Sequence, residues 1–407
     1  MNLKKLTIII LTKLLSPFFG FLSFLVPKGN VILLGTYSRH KYGENTKYLY
    51  EYLSEKKELD VYWITDNSSI INKLRKENLK FISFKSPLKM LWILLRTKVV
   101  IDSGTGFFNP FKILDSEKVI KITTSHGNGP KVTVSRFHPP DNHRIGLQQI
   151  EDLYRFDFIN YPSSYSAKHI GKRIHLLPNH KIISLGYPRC DQYNDSEIVT
   201  NAYKEKKIAK TFCSNVSDVS KIILYTPTWR PYDYNFPLEK MPLLDMIEFN
   251  KWLVESDSFF FFSVHTAHLP NKIPSNLERI IYIDPNKYPF YDTNSFMLEV
   301  DILINDYSTT STDIAILKTP QIFFMPDYDQ YEEESGFVED YRKIMPGEEI
   351  FNYKDLIKNI NHIYTNKLDY LKNHEDNRQN LLSKYYDFYN KNSSEEFYRF
   401  IKSKIEY

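Results

Sequence analysis

The sequence predicts a two-domain α/β chain in which two doubly wound parallel sheets face each other across a cleft. Three observations predict it. Short apolar runs alternate with amphipathic stretches along most of the chain, the pattern of a parallel sheet covered on both faces. The alternation breaks over the polar stretch 193–220 and then restarts. Several apolar runs end in segments rich in glycine, hydroxyls or histidine, and ligands of open α/β sheets sit at the carboxyl ends of the strands.

Taken in order, Val31–Gly35 reads as a strand and Asn45–Lys57 as a helix with Leu49, Tyr50 and Leu53 on one face. Asp60–Thr65 is a strand, Ser68–Glu77 a helix, Phe81–Phe84 a strand, Ser86–Thr97 a helix and Val99–Asp102 a strand. Val119–Thr124 runs directly into Ser125-His-Gly-Asn-Gly-Pro-Lys131, and Phe158–Tyr161 and Lys181–Leu185 continue the series. The second series comprises Lys221–Tyr225, Phe259–Val264, Ile280–Ile283, Asp301–Ile304 and Gln321–Met325, with helical sequence from Tyr353 onward. The expected division is a Rossmann-like domain over 30–200, a second over 201–365, and C-terminal helices over 366–407.

The bulk numbers agree with a folded enzyme. At roughly 100–200 residues per domain, 407 residues give two or three domains. Hydrophobic and charged contents of 42% and 25% are ordinary. A net charge of only +4 argues against a nucleic-acid binder. The aromatics, 15% of the chain, read chiefly as core fillers. Two cysteines, Cys190 and Cys213, lack metal-type spacing and indicate no disulfide framework. No metal site or cofactor is expected.

Residues 1–29 stand apart. Lys4 and Lys5 precede an apolar stretch, 6–26, interrupted by Lys13, Ser16 and Pro17, and no small-residue cleavage site follows. About 20 apolar residues could span a bilayer, but Lys13 and Pro17 near the middle favour a helix lying in the interface, its lysines toward anionic lipid. The competing reading is a buried N-terminal helix of the first domain.

The strongest candidate site is Asp306-Tyr-Ser-Thr-Thr-Ser-Thr-Asp313. A buried strand runs into Asp306, and Asp313-Ile-Ala-Ile-Leu begins a helix. Ser308, Thr309, Thr310, Ser311 and Thr312 therefore form a strand-to-helix turn, where backbone N–H groups and short hydroxyls favour an anion such as a donor phosphate. A helix cap alone needs one hydroxyl, and here there are five. His126, flanked by Gly127, Gly129 and Lys131, could take a proton from an acceptor hydroxyl, and Lys131 could neutralise phosphate. His265 follows the apolar run Phe259–Val264; His268 shares its face, but no Cys, Asp or Glu completes a metal set. Arg230 offers a planar fork to phosphate, balanced against a salt bridge, and Arg189 beside the interdomain edge is open in the same way. No P-loop, nucleophile elbow or Gly-x-Gly-x-x-Gly is present, which disfavours P-loop NTPases and hydride transfer.

Several of these segments stand in one familiar order: His126-Gly127, Leu185-Gly-Tyr-Pro-Arg-Cys-Asp191, Ile223-Leu-Tyr-Thr-Pro-Thr-Trp-Arg230, Val264-His265, Asp301-Ile-Leu-Ile-Asn-Asp-Tyr-Ser308, Lys318-Thr-Pro320, Asp329-Gln-Tyr331 with Gly336-Phe337, and Pro346-Gly347. Together, over about residues 31–350, they resemble the CDP-glycerol glycerophosphotransferase family of teichoic acid and capsule biosynthesis. The resemblance implies a GT-B-like fold, a CDP-linked polyol donor, and transfer of a polyol phosphate, glycerol phosphate foremost, with release of CMP. It implies a polyol-phosphate or lipid-linked glycan acceptor and peripheral attachment to the cytoplasmic face of the bacterial membrane; homo-oligomerisation is left open. By position, His126 matches the family's general base, His265 its second histidine, toward donor phosphate, and Ser308 and Thr309 its paired hydroxyls. The chain departs from the family at Ser125, where Trp is usual, at Asn305 and Thr309, and in the residues after His126. Two other readings compete: a GT-B glycosyltransferase using a nucleotide sugar, and a non-catalytic membrane-bound assembly partner.

Overall fold

Every strand among the described residues lies in one of two all-parallel sheets, and each sheet has the strand order expected for a doubly wound domain. The computed structural model describes residues 3–36, 39–104, 109–125, 127, 129–132, 150–228, 230, 232, 243–263, 277–284, 287–387 and 392–406. A long helix, α1 (Leu3–Leu25), leads into the first sheet. That sheet comprises β1 (Val31–Leu34), β2 (Asp60–Ile64), β3 (Phe81–Ile82), β4 (Thr97–Asp102), β5 (Ile120–Thr123), β6 (Phe158–Tyr161) and β7 (Ile182–Ser184). Its order is β3-β2-β1-β4-β5-β6-β7, with α2 (Glu44–Ser54), α3 (Ser68–Lys76) and α4 (Pro87–Arg96) as early crossovers. The second sheet comprises β8 (Lys221–Tyr225), β9 (Ser258–Ser263), β10 (Ile280–Ile283), β11 (Ile302–Asn305), β12 (Gln321–Phe324) and β13 (Gly347–Ile350), ordered β10-β9-β8-β11-β12-β13.

The strands read as continuous apolar runs because both faces of each sheet are buried. On β8, Ile222 and Leu224 enter one core while Ile223 and Tyr225 enter the other. On β9, Phe259 and Phe261 face the first and Phe260 and Phe262 the second. The first sheet divides likewise: Ile32, Leu34, Val99 and Ile101 lie on one side, and Val31, Leu33 and Val100 on the other. Each such side chain contributes about 1.5–3 kcal/mol when fully buried, and that dual burial fixes the sheets in register.

Three features go beyond the sequence-based reading. The polar stretch 193–220 is not a bare linker. It carries helices Ser196–Glu205 and Lys207–Phe212, whose Val199, Ala202 and Ile208 pack on the core of the second sheet. The last strand, Gly347–Ile350, has two glutamates and escaped the apolar pattern; it is an edge strand, so one side need not be apolar. The C-terminal helices do not form one unit. Lys354–Asn373 packs on the second sheet, while Phe397 and Ile401 of helix Ser393–Ile405 enter the core of the first. Asp191 anchors that return by accepting from the Ser393 and Ser394 backbone at 2.7 and 2.8 Å.

Helix α1 packs on the first domain along one side and is exposed along another. Its Phe19 and Leu22 pack against the first domain, and Ser23 Oγ donates to the Ile113 carbonyl at 2.7 Å. Leu14, Phe18, Phe21 and Leu25, spaced as one stripe of a helix, are 55–70% exposed. Among the described residues, no helix is long and apolar enough to cross a membrane.

Candidate functional site

The strand order reverses between β1 and β4 in the first sheet and between β8 and β11 in the second. Loops leaving the two sides of such a switch point diverge and leave a crevice. In the second sheet that crevice lies between the loop after β8 and the segment after β11. Across it, the Thr226 and Thr310 hydroxyls lie 2.9 Å apart, and the Thr228 N–H donates to both Asp306 carboxylate oxygens at 2.9 and 3.0 Å.

The hydroxyl turn forms here, and its five hydroxyls divide. Ser308, Thr309 and Thr310 are partly exposed. Ser311 and Thr312 are each 1% exposed. The Ser311 hydroxyl lies 3.7 Å from the Met345 sulfur, and that of Thr312 donates to the Thr309 carbonyl at 2.6 Å. Of the five hydroxyls expected to face an anion, Ser311 and Thr312 thus point inward and three remain at the crevice. Helix Thr310–Ile314 is one turn long, and the Ser311 and Thr312 N–H groups are occupied by Ser308 and Thr309 carbonyls at 3.3 and 3.1 Å. Hydroxyls, rather than a helix dipole, are what the turn presents.

Arg230 and Asp306 are the next correction. Arg230 is fully buried, and its guanidinium is divided between Asp306, at a short ion pair, and Asp327, at 2.9 and 3.0 Å. The fork reads carboxylates and not an incoming phosphate. Burial pushes Asp327 up, but the Arg230 hydrogen bonds override it and hold the carboxyl below its ordinary value. Removing one member would strand a buried charge, so this triad braces the crevice wall. Tyr307 stacks on Tyr331 at 3.9 Å, Arg230 lies 4.8 Å over the Tyr307 ring, and Phe337 stacks on Tyr341 at 4.6 Å. The sequence pattern Asp329-Gln-Tyr331 with Gly336-Phe337 is therefore the packing that holds Asp306–Ser308. Gly336 takes φ +76°, where a side chain is disfavoured.

The loop after β5 crosses from the first domain to this wall. Ser125 has φ 56° and is held on both sides: its hydroxyl donates to the Asn160 carbonyl at 2.9 Å, and its carbonyl accepts from Asn45 Nδ2 at 2.9 Å. A Cβ on Gly127 would stand 3.0 Å from the Thr309 hydroxyl, and one on Gly129 would stand 3.4 Å from the Thr309 methyl. The glycines are what let this loop touch the hydroxyl turn. Beyond them Lys131 pairs with Phe337 in an antiparallel bridge. The Val132 N–H donates to the Gly336 carbonyl at 3.1 Å and the Val338 N–H to the Pro130 carbonyl at 2.5 Å. Lys131 is within electrostatic reach of Asp306 and Arg230; burial lowers its ammonium to about 8, against the pull of Asp306. No ion pair engages it among the described residues. His126, which would follow Ser125, and His265 and His268, beyond β9, lie outside the described residues.

Arg189 is also removed from the list of ligand-facing groups. Its Nη2 pairs with Asp313 Oδ2 at 2.8 Å, both side chains almost fully buried. The pair ties the turn after β7 to the helix that follows the hydroxyls. Two residues of this crevice went unread: Thr226, which meets Thr310, and Thr228, whose buried hydroxyl has no hydrogen-bond partner among the described residues. Their signal was present in Thr226-Pro-Thr-Trp-Arg230, at the end of a buried strand, but the arginine drew the reading. On the first-domain side, the Ser103 hydroxyl, just past the end of β4, is likewise buried and has no partner among the described residues.

A family model described as CDP-glycerol:poly(glycerophosphate) glycerophosphotransferase matches residues 18–403. The teichoic acid glycerol-phosphate transferase of Staphylococcus aureus is 25% identical over 369 residues, covering 85% of this chain and 87% of its own. The teichoic acid glycerol-phosphate primase of Bacillus subtilis is 25% identical over 349 residues, covering 84% and 85%. The chain spans about half, 46%, of the Bacillus subtilis poly(glycerol phosphate) polymerase that it also matches. A solved structure of the wall teichoic acid polymerase TagF superposes with a TM-score of 0.72 at 19% identity, covering 100% of this chain and 99% of that one. The fold is thus GT-B-like, and with nearly the whole length matched, from the outer half of α1 to the last helix, this chain belongs to the CDP-glycerol:poly(glycerophosphate) glycerophosphotransferase family.

Proposed function

We propose that this protein transfers glycerol phosphate from CDP-glycerol to an acceptor hydroxyl on a cell-surface polymer of the teichoic acid class, releasing CMP. The observation that carries the reading is the closeness of Gly127 to Thr309, whose hydroxyl a Cβ on that glycine would meet at 3.0 Å. It brings the histidine-bearing loop of one domain onto the hydroxyl turn of the other, within a chain of this family.

In this reading the acceptor hydroxyl gives its proton to His126 and its oxygen attacks the phosphorus nearer the glycerol. One phosphorus–oxygen bond forms, the bond to the bridging oxygen of the pyrophosphate breaks, and CMP leaves with that electron pair. Ser308, Thr309 and Thr310, with the unpartnered Thr228 hydroxyl, donate to the oxygens that gain charge. Lys131 supplies the cation facing the pyrophosphate, the part first given to Arg230, and His265 assists on the donor side. Arg230, Asp306 and Arg189 hold the wall in position.

The protein attaches to the inner face of the membrane through α1. The exposed stripe of Leu14, Phe18, Phe21 and Leu25 supports this, as do the exposed Leu88 and Trp92 on α4, which packs beside α1. No acidic residue precedes Glu44, and none lies between Glu77 and Asp102, so these surfaces carry only cations toward anionic lipid.

The test is incubation of the purified protein with CDP-glycerol and a lipid-linked acceptor. CMP release, and a product heavier by one glycerol phosphate, are expected, and His126→Ala should abolish both while donor binding persists. No nucleotide release with any CDP-polyol would refute the function. A product that gains sugar without phosphate would assign the glycosyltransferase reading instead.

A further inference from the structure

Between Asp157 and Asp191 the chain has no acidic residue but carries Lys168, Lys172, Arg173, Lys181 and Arg189, with His169, His175 and His180. The middle of this stretch is a π-helical turn, Ala167–Lys172, in which the His175 N–H reaches the Ile170 carbonyl at 2.8 Å. Such turns are rare and recur at functional sites. The winding has a local consequence. In an α-helix, residues five apart point about 140° apart; the wider i→i+5 winding turns less per residue and so brings positions 168 and 173 closer to one face. Lys168, Lys172 and Arg173 are exposed, and none has a carboxylate partner among the described residues. Their field is felt at His169, whose pKa is lowered first by burial and then by Lys168 and Arg173, with Lys384 adding to it and Glu339 opposing. Arg173 Nη1 lies 3.4 Å from His169 Nδ1, and the His169 ring stacks on Tyr165 at 4.2 Å.

This cluster is connected to the cleft through named contacts. The Tyr165 hydroxyl donates to Glu339 at 3.0 Å, and Lys384 neutralises the same carboxylate at 2.5 Å. Residue 338, next to Glu339, donates to the Pro130 carbonyl of the loop that touches the hydroxyl turn. The remaining acidic group at this edge, Asp387, is occupied by the Ser164 N–H and hydroxyl at 2.7 and 2.6 Å. An exposed group of cations without a carboxylate partner among the described residues therefore sits at one end of the crossing loop. Three unpaired cations beside each other repel, a cost that a bound polyanion would reverse.

We propose that Lys168, Lys172 and Arg173 form a secondary site for the backbone phosphates of a polyanionic phosphodiester chain, so that the acceptor polymer is held behind its reacting end. The inference rests on the proposed transfer to a polyol-phosphate acceptor. It goes beyond that reading by assigning where the rest of the chain lies.

The test uses the full-length protein and a fluorescent synthetic glycerol-phosphate dodecamer, with K168Q/K172Q/R173Q as the variant and Arg173→Lys as the charge-conserving control. The dodecamer should bind the wild type, more weakly as salt rises. The triple variant should lose at least tenfold in affinity and show a shallower salt dependence, and Arg173→Lys should retain binding. CMP release with a one-unit acceptor should stay within twofold in all three proteins, which separates this site from the reaction centre. Equal dodecamer affinity in wild type and triple variant would overturn the proposal, as would no binding by the wild type. Loss of binding to phosphatidylglycerol vesicles alone, with dodecamer binding intact, would also overturn it and assign the cations to lipid. If the triple variant does not fold, Lys172→Gln alone should still lower the affinity and flatten the salt dependence, and an unchanged affinity there would overturn the proposal too. Absence of CMP release from the wild type would refute the proposed activity independently of what the dodecamer does.

Discussion

Replacing Arg189 by Met would remove one member of the ion pair that ties the first domain to the helix after the hydroxyl turn. The 2.8 Å contact with Asp313 is buried, with 3% and 2% of the two side chains exposed. Breaking such a pair by removing one partner costs about 3–5 kcal/mol, because the other charge is left uncompensated. Burial already raises the Asp313 pKa above its ordinary value even with Arg189 lowering it, so the variant should raise it further. The sign follows from linkage. A carboxyl whose folded pKa exceeds its unfolded value favours folding at low pH, and that contribution is lost as pH rises from the unfolded toward the folded value. The deficit of Arg189→Met should therefore be small near pH 4, grow toward neutrality and level off once pH passes the raised Asp313 pKa. Adding Asp313→Asn should recover most of it at pH 7. Urea denaturation of the four proteins of this cycle, followed by circular dichroism at pH 4.5 and 7.5, measures all three quantities. A loss below about 1 kcal/mol at pH 7.5, or no recovery in the double variant, would refute the assignment of Arg189 to structure.

Four further outcomes are expected. Because burial lowers the Lys131 ammonium to about 8, its charge should be present below that pH and lost above it. Donor kcat/KM should fall by up to tenfold per pH unit beyond 8, and Lys131→Arg should shift the fall upward. Thr310→Val removes a hydroxyl at the crevice and should raise the donor KM about tenfold or more, whereas Ser311→Ala, facing Met345, should leave it within twofold. Phe18→Asp with Phe21→Asp should weaken vesicle sedimentation at least tenfold while leaving CMP release from a soluble acceptor intact, since each aromatic contributes about 1.5–3 kcal/mol of burial. Gly347→Ala would put a Cβ 2.1 Å from the Gln321 carbonyl oxygen and should lower the melting temperature through about 1–3 kcal/mol of overpacking, while Gly20→Ala, with nothing within 4 Å, should not destabilise.

The strands were legible because burial on both faces leaves a run of apolar residues that no surface element shares. Phe259–Phe262 is the clearest case. The hydroxyl turn was legible because strand, turn and helix are contiguous in sequence. Arg230 was misread for the opposite reason. Its partners, Asp306 and Asp327, lie 76 and 97 residues further on, and nothing local distinguishes an arginine that binds a ligand from one that neutralises distant carboxylates. Arg189 and Asp313 repeat the case. Gly347–Ile350 was hidden because an edge strand can carry glutamates, and the π-helical cation cluster because a change in winding reorders faces that an α-helical reading keeps apart. The return of Ser393–Ile405 to the first domain depends on Asp191, some 200 residues earlier.

The two backbone bonds that join 130–132 to 336–338 have a mechanical consequence. The loop that follows β5 in the first domain is sewn to the second, and the buried Arg189–Asp313 pair and the returning C-terminal helix add further seams. Rigid-body opening of the cleft would have to tear these seams on every turnover. Substrate and CMP should therefore slide in and out along the length of the cleft while the jaws stay shut. An enzyme built this way owes little of its turnover time to large-scale diffusion of its halves.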